Sequence, residues 1–321
     1  MVTTPKTPID SSAAHEFVTS GYFGSIPGDP RGGKTRIVTN NDCNRGATNM
    51  GTPIYYMGVQ ENGGTFTDRA GKQEFDGPGE IGMLDWGAYT PNGQAGKKGI
   101  QALSGGKGRG YSMARTLGSD PNQVAVEGRR TVVAWVSAAF TSQSLLQDIT
   151  LGSDNQLRQS FVPELQMLRT GTPLAVGKDS QASTLQFELV ATVKKTSSPA
   201  GVDVLISKDG KSKASVLVDF DKELVMVDAT KAGNSDVRAG PLLGTTDAVT
   251  IHAYVDHSII AVIFNNRTSL TVSVKPASED ADGVVAVGST VAATVHKLES
   301  ANNNDGTYNT HPTRQSMPIA L

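Results

Sequence analysis

Three features of this sequence could bind a ligand or take part in catalysis: a glycine-rich basic loop, the scattered carboxylates and the scattered histidines. The segment 28–35, Gly-Asp-Pro-Arg-Gly-Gly-Lys-Thr, fits the phosphate-loop pattern G-x-x-x-x-G-K-[ST]. Such a loop needs a following helix, whose N-terminal N–H groups surround the phosphate. Here the sequel Arg36-Ile-Val-Thr39 predicts a strand, and Pro30 removes one N–H donor. The segment is therefore predicted to be a β-hairpin tip and not a nucleotide site.

The remaining reactive side chains form no recognisable metal or nucleophile motif. The single cysteine, Cys43, excludes an internal disulfide, and the five histidines show no metal-ligand spacing. We therefore predict no metal and no cofactor. Carboxylates in the pattern Asp-Pro-Asn occur at Asp120, just before the strand that begins near Thr131, and a turn is predicted there.

Composition excludes two partner classes and favours an all-β fold. Lys and Arg number 29 against 31 Asp and Glu, which gives no electrostatic reason to expect nucleic acid or an anionic membrane. No apolar run approaches the ~20 residues that span a bilayer, and no secretory signal is visible in the first 20 residues. The chain has 35 glycines in 321 residues, about 11% against a usual ~7%, and this excess indicates many turns.

Short apolar runs closed by turn residues predict the strands that must position any site. Val249–Val255 alternates strictly, with Ile251 and Ala253 on one face and His252 and Tyr254 on the other. Only Gln156–Leu168 has helical character, interrupted by Pro163. The other predicted strands lie at 52–59, 65–67, 131–136, 186–193, 202–207, 214–220, 223–227, 259–264 and 269–274.

Six segments, in order along residues 17–290, resemble glycoside hydrolase family 32, which includes invertases, inulinases, levanases and fructosyltransferases. The best match, Val249–Asn265, resembles the family's sandwich signature L-x-I-F-V-D-x-S-I-V-E-V-F-V-N. The other five resemble the motifs W-E-C-P-D-F-F, Y-Y-x-G, D-x-G-x-x-Y-A, G-R-R-x-L-W-G-W and Q-x-P-V-x-E-L-x-x-L-R, and lie at 17–23, 54–66, 84–89, 128–135 and 159–169.

The resemblance implies an all-β architecture: later blades of a five-bladed β-propeller followed by a C-terminal β-sandwich. It places a partial propeller at 1–170, a linker at 171–182, the sandwich at 183–299 and a tail at 300–321. It also implies an extracellular or vacuolar location and a fructose-containing sugar as ligand. Family members cleave a β-fructosidic bond with retention, using a carboxylate nucleophile and a carboxylic acid.

The same resemblance suggests site residues and shows where the family pattern breaks. Neither the nucleophile motif W-M-N-D-P-N-G nor the R-D-P segment occurs in these residues. If Tyr22-Phe23 matches F-F, the acid position falls on Val18, so Glu16 is a candidate acid only with a two-residue shift. Asp85, Tyr89 and Trp135 match pocket-lining positions and are the candidate substrate-binding residues.

Three hypotheses remain open. In the first, the chain is part of an enzyme that acts on β-fructosides, and a second polypeptide supplies the missing N-terminal blades and the nucleophile. In the second, it is a non-catalytic carbohydrate-binding or structural paralogue. In the third, it is a fragment of an ordinary hydrolase. An incomplete propeller leaves strand edges unpaired, which favours the first and third hypotheses over a lone half-propeller.

Overall fold

The computed structural model of the chain describes residues 131–137, 141–152, 157–233, 237–244 and 247–300, together with the backbone of eight earlier strands. All strand pairings in these regions are antiparallel, as predicted for an all-β chain. Four sheets and one two-stranded ribbon result. The eight earlier strands are β1 Phe17–Phe23, β2 Thr35–Asp42, β3 Pro53–Gln60, β4 Phe66–Asp68, β5 Ile81–Met83, β6 Ala88–Thr90, β7 Gly99–Gln101 and β8 Tyr111–Thr116.

Sheet A contains β1 to β5, and β6 pairs with β7 as the separate ribbon. Strand β1 pairs antiparallel with β2. Thr35 begins β2 and not a helix, so the prediction of a strand after the glycine-rich segment is confirmed. The segment 28–33 itself lies outside the described residues.

Sheet B has the strand order β10-β9-β11-β12, with β8 pairing β9. A 3-10 helix, Pro163–Leu168, follows its last strand. Its own strands are β9 Thr131–Ser137, β10 Thr141–Gln143, β11 Gln147–Leu151 and β12 Leu157–Phe161.

The helical character predicted for 156–168 is wrong for its first half, because 157–161 is a strand with alternating burial. Proline at the first helical position is tolerated, since the N–H it lacks has no partner there. Pro163 therefore starts the helix and does not interrupt it.

Two six-stranded sheets form a β-sandwich. Sheet C has the order β13-β24-β15-β20-β21-β22, and sheet D has the order β14-β23-β16-β17-β18-β19. The bounds are β13 Arg169–Ala175, β14 Ser180–Gln181, β15 Gln186–Lys194, β16 Ala200–Ile206, β17 Ala214–Asp219, β18 Leu224–Asp228, β19 Val237–Pro241, β20 Ala248–Asp256, β21 Ile259–Phe264, β22 Thr268–Ser273, β23 Gly283–Val287 and β24 Thr290–Leu298.

The sandwich core lies between sheets C and D, where alternate residues of each strand face the other sheet. In β15 the inward residues Phe187 and Leu189 are fully buried, and in β16 so are Val202 and Val204. All four belong to one continuous apolar cluster that draws on both sheets. Because the strand period is two, the residues between them project from the outer faces.

The segment 171–182, predicted as a linker, contains strands of both sheets. Strand β13 pairs with β24 on sheet C, and β14 pairs with β23 on sheet D. The Gly and Pro content that suggested a linker reflects local turns and an edge strand: Gly171 has a positive φ of 66°, which glycine adopts without steric cost. Within the described residues, no helix is long and apolar enough to cross a membrane.

Candidate functional site

The outer face of sheet C is covered by sheet B and the 3-10 helix. Phe161 at the end of β12 packs with three outward-facing residues of β20 and β21, and all four are buried. Partly buried leucines from sheet B, the helix and β24 surround them. The three outward-facing residues are Tyr254, Ala261 and Ile263.

A carboxylate lies fully buried in this contact. Glu188 projects outward from the middle of β15, between the inward-facing Phe187 and Leu189, and has no exposed surface. Arg169, the first residue of β13, donates from Nε to Oε2 at 2.5 Å and from Nη2 to Oε1 at 2.7 Å. His252 of β20 lies with Nε2 2.6 Å from Oε1, and it donates because an ionised carboxylate only accepts. We call Arg169, Glu188, His252, Tyr254 and Phe161 the Glu188 cluster.

The ionised state of Glu188 is fixed by its partners. Burial acts to raise the pKa of its carboxyl group, but the hydrogen bonds and positive charge of Arg169, together with His252, lower that pKa to about 2. The same hydrogen bond raises the pKa of Arg169 above its usual value, against the effect of burial. A general acid of a glycosidase needs a raised pKa, so Glu188 does not suit that role.

Aromatic rings hold the cluster to sheet B. The Phe161 ring meets His252 edge to face, with centroids 5.1 Å apart and planes at 82°. It meets Tyr254 in the same way, at 4.8 Å and 77°. Edge-to-face geometry of this kind adds about 0.5–1.5 kcal/mol per pair beyond area burial.

Two further groups in this contact have displaced pKa values. Burial, then the nearby Arg169 charge, lower the pKa of His296 on β24. Burial and then the negative charge of Glu188 raise the pKa of Tyr254. The Tyr254 hydroxyl is buried without a hydrogen-bond partner among the described residues, as is Oε1 of Gln147, and both residues line a cavity of about 50 Å³ between sheets B and C. A cavity of that size is large enough for ordered water.

Backbone hydrogen bonds complete the contact. The Gln159 N–H of β12 donates to the Asn266 carbonyl at 2.7 Å, in the turn between β21 and β22. The Gln147 side chain of β11 donates to Ser269 Oγ at 3.4 Å. The arrangement is suited to holding sheet B on the sandwich. The Phe161 ring and these two hydrogen bonds link sheet B to sheet C, and the ion pairs of Glu188 fix β13, β15 and β20 of sheet C beneath them.

The predicted site residues lie outside the part of the chain whose side chains the structure describes. Glu16 and Asp85 lie outside the described residues. Tyr89 lies in β6 and Trp135 in β9, where only the backbone is described. Among the described residues, no group of three or more His, Cys, Asp or Glu side chains is arranged to hold a metal ion.

The Glu188 cluster was missed by sequence reasoning, although signals for it were present. Arg169 closes the segment quoted for the Q-x-P-V-x-E-L-x-x-L-R motif, and His252 lies on the outward face predicted for β20. A charged residue inside the apolar run of β15 was the third signal. Nothing in the spacing joins the three residues, because Arg169 and His252 lie 19 and 64 residues from Glu188.

Comparison with known proteins defines the class of this region. Residues 153–302 match the model "Glycosyl hydrolases family 32 C terminal". The sandwich is thus similar to the C-terminal domain of family 32, and the resemblance inferred from the motifs is confirmed for this region. Among curated proteins, none matches the chain significantly.

Solved structures with a similar fold include a fructan exohydrolase, a sucrose-6-phosphate hydrolase and a fructosyltransferase. Fructan 1-exohydrolase IIa from Cichorium intybus has a TM-score of 0.63 at 13% identity, over 87% of this chain and 61% of that one. Sucrose-6-phosphate hydrolase from Lactobacillus gasseri has a TM-score of 0.62 at 14% identity, over 83% of this chain and 52% of that one. Fructosyltransferase from A. japonicus has a TM-score of 0.62 at 15% identity, over 93% of this chain and 57% of that one. The chain therefore spans between half and three-fifths of the length of these structures, and the likeness shows the fold alone.

Proposed function

We propose that this chain is the C-terminal part of a glycoside hydrolase that acts on β-fructosides such as sucrose, inulin or levan, with retention. The observation that carries the proposal is the match to the family 32 C-terminal domain, together with a further β-sheet that packs on the outer face of sheet C through the Phe161 ring and two hydrogen bonds.

The sandwich acts in this proposal as a scaffold. Sheets A and B are later blades of a propeller, and the Glu188 cluster holds sheet B in a fixed position. Retaining chemistry needs two carboxyl groups about 5–5.5 Å apart, so small displacements of the blades abolish it. The stiffness of the contact therefore serves the chemistry without taking part in it.

Reaction and binding roles follow the family motifs. Asp85, Tyr89 and Trp135 contact the fructose-containing sugar, and Glu16 is the candidate acid. A nucleophile that these 321 residues do not contain is supplied by a second polypeptide that carries the earlier blades.

The test is to measure sugar binding and fructose release by the purified chain. Calorimetry with sucrose and an inulin oligosaccharide is expected to show saturable binding, which Asp85→Asn weakens by about tenfold or more through loss of a charged hydrogen bond. Asp209→Asn is the matched control, since that carboxylate lies in an exposed turn. Failure of every β-fructoside to bind contradicts the proposal.

The non-catalytic alternative is favoured by one residue: Val18, at the position that matches the family acid, lies in β1. Binding without fructose release, from a chain whose mass in solution is that of a monomer, supports this alternative. Release that appears only with a second polypeptide supports the enzyme.

A further inference from the structure

A second, open depression lies beside the contact between sheet B and the sandwich, and it shares no lining residue with the cavity at Gln147 and Tyr254. Its volume is about 560 Å³, within the range of small-molecule sites. It lies where β12, the β21–β22 turn and the segment after β19 meet. The described residues that line it are Arg158, Gly244, Thr250, Asn265, Asn266 and Arg267.

The floor of this depression is held by specific hydrogen bonds. The Asn265 side chain accepts from the Thr250 N–H at 2.9 Å and donates to the Leu243 carbonyl at 3.1 Å. Asn265 and Asn266 both have positive φ angles, 51° and 54°, a conformation in which asparagine is enriched. Gln159 donates to the carbonyls of Asn266 and Arg267, at 2.7 Å from its N–H and 3.4 Å from its side chain.

The chemistry of the lining is that of hydrogen-bond donors. Two arginines, two asparagines and a threonine are among the residues that line it, and no Asp or Glu is among the described residues that do so. Both arginines take part in other interactions, but each guanidinium has five N–H donors and always carries its charge. Arginine forks of this kind match the oxygens of phosphate and sulfate.

We propose that this depression, which we call the Arg158–Arg267 site, binds an oxyanion of the phosphate or sulfate type. Arg158 comes from sheet B and Arg267 from the sandwich, so an anion held by both adds a bond between the two. The proposal does not depend on the function proposed above.

The experiment is an NMR or calorimetric titration of the whole chain with inorganic phosphate at low ionic strength. Saturable binding is expected, with affinity reduced about tenfold by Arg158→Gln or by Arg267→Gln, because each removes a charge-assisted hydrogen bond. The double variant is expected to lose binding. Arg→Lys at either position keeps the charge but loses the fork, and is expected to restore only part of the affinity.

Lys211→Gln is the matched control, since that side chain is 85% exposed in the β16–β17 turn and carries the same charge. It is expected to leave phosphate affinity unchanged. Equal weakening by Lys211→Gln, or unweakened binding by the double variant, overturns the site. Absence of saturable binding to the wild-type chain overturns it as well.

A second arm separates the two sources of the oxyanion. A hexose 6-phosphate that binds more tightly than inorganic phosphate, while the free hexose does not bind, assigns the site to a phosphorylated sugar. Equal affinity for both phosphates assigns it to the free ion. Circular dichroism of each variant confirms that the fold is retained.

Discussion

Each sheet of the sandwich carries a buried carboxylate that projects outward from the interior of a strand, but the two are held differently. Glu188 on sheet C has no exposed surface, whereas Asp203 on sheet D is 7% exposed. Asp203 accepts from Lys213 Nζ and from Ser215 Oγ, both at 2.5 Å. Those partners are 10 and 12 residues away, at the start of the neighbouring strand.

The partners of Glu188 come from further apart. Arg169 follows the 3-10 helix of the covering layer, and His252 lies on β20 against the Phe161 ring. Asp203 therefore stabilises one hairpin, while Glu188 connects three strands of sheet C, one of which carries the His252 ring that meets Phe161 of sheet B. A buried carboxylate thus has partners nearby in sequence in one sheet and partners distant in sequence in the other.

The largest expected effect is that of Glu188→Gln, which keeps the size of the side chain but removes its charge. Arg169 is then left facing a neutral group in a buried contact, and breaking a buried pair in this way costs about 3–5 kcal/mol of unfolding free energy. Urea denaturation measures the change. A loss no greater than that of Asp203→Asn contradicts the distinction between the two carboxylates.

Acid should weaken the same contact. The folded-state pKa of Glu188 is about 2, below its ordinary 4.5. A lowered carboxyl pKa stabilises the fold fully above pH 4.5, and that stability is lost as the pH falls from 4.5 towards 2. The unfolding free-energy difference between wild type and Glu188→Gln is expected to be constant above about pH 5 and to shrink by about 3 kcal/mol towards pH 2. A difference that stays constant down to pH 2 contradicts the role of the charge.

Phe161→Leu tests the aromatic part of the contact. It keeps an apolar side chain but loses two edge-to-face pairs, with an expected cost of about 1–2 kcal/mol. Phe220→Leu on the sheet D side is the control, because Phe220 has no ring contact among the described residues, and about 1 kcal/mol or less is expected there. Both are measured by urea denaturation, and equal losses contradict the ring-contact argument.

The smallest effect is expected for Asp203→Asn. Its partner Lys213 is 31% exposed at the side chain, so solvent screens the pair. We expect a loss of about 1 kcal/mol or less, which should become smaller still in 1 M NaCl. A loss as large as that of Glu188→Gln removes the contrast between the open and the covered face.

The sequence carried enough information for the sandwich strands. Alternation in 249–255 predicted the inward residues Ile251 and Ala253, and both are in the core. It also placed Tyr254 on the opposite face, which is correct, but that face is covered, so Tyr254 is 3% exposed. Period-two patterns give the face of a residue, and what covers that face depends on contacts distant in sequence.

The helix predicted for 157–161 was wrong because strand pairing outweighed the helix propensity of these residues. Residues 157–161 carry good helix formers, yet pairing with β11 made them a strand. The site residues could not be tested in the same way, since Glu16, Asp85 and the side chains of Tyr89 and Trp135 lie outside the described residues. The Glu188 cluster could not be predicted, because its ion pairs depend on the register between β13, β24, β15 and β20.

The pairing of the first sandwich strands with the last has a consequence for synthesis on the ribosome. β24 lies between β13 and β15, and β23 lies between β14 and β16, so the final strands to be translated occupy interior positions in both sheets. A nascent chain that has reached residue 282 therefore holds open strand edges on β15 and β16, the surfaces through which chains aggregate. The sandwich can close only after residue 298 has left the exit tunnel, and until then those edges stay open to pairing with other chains.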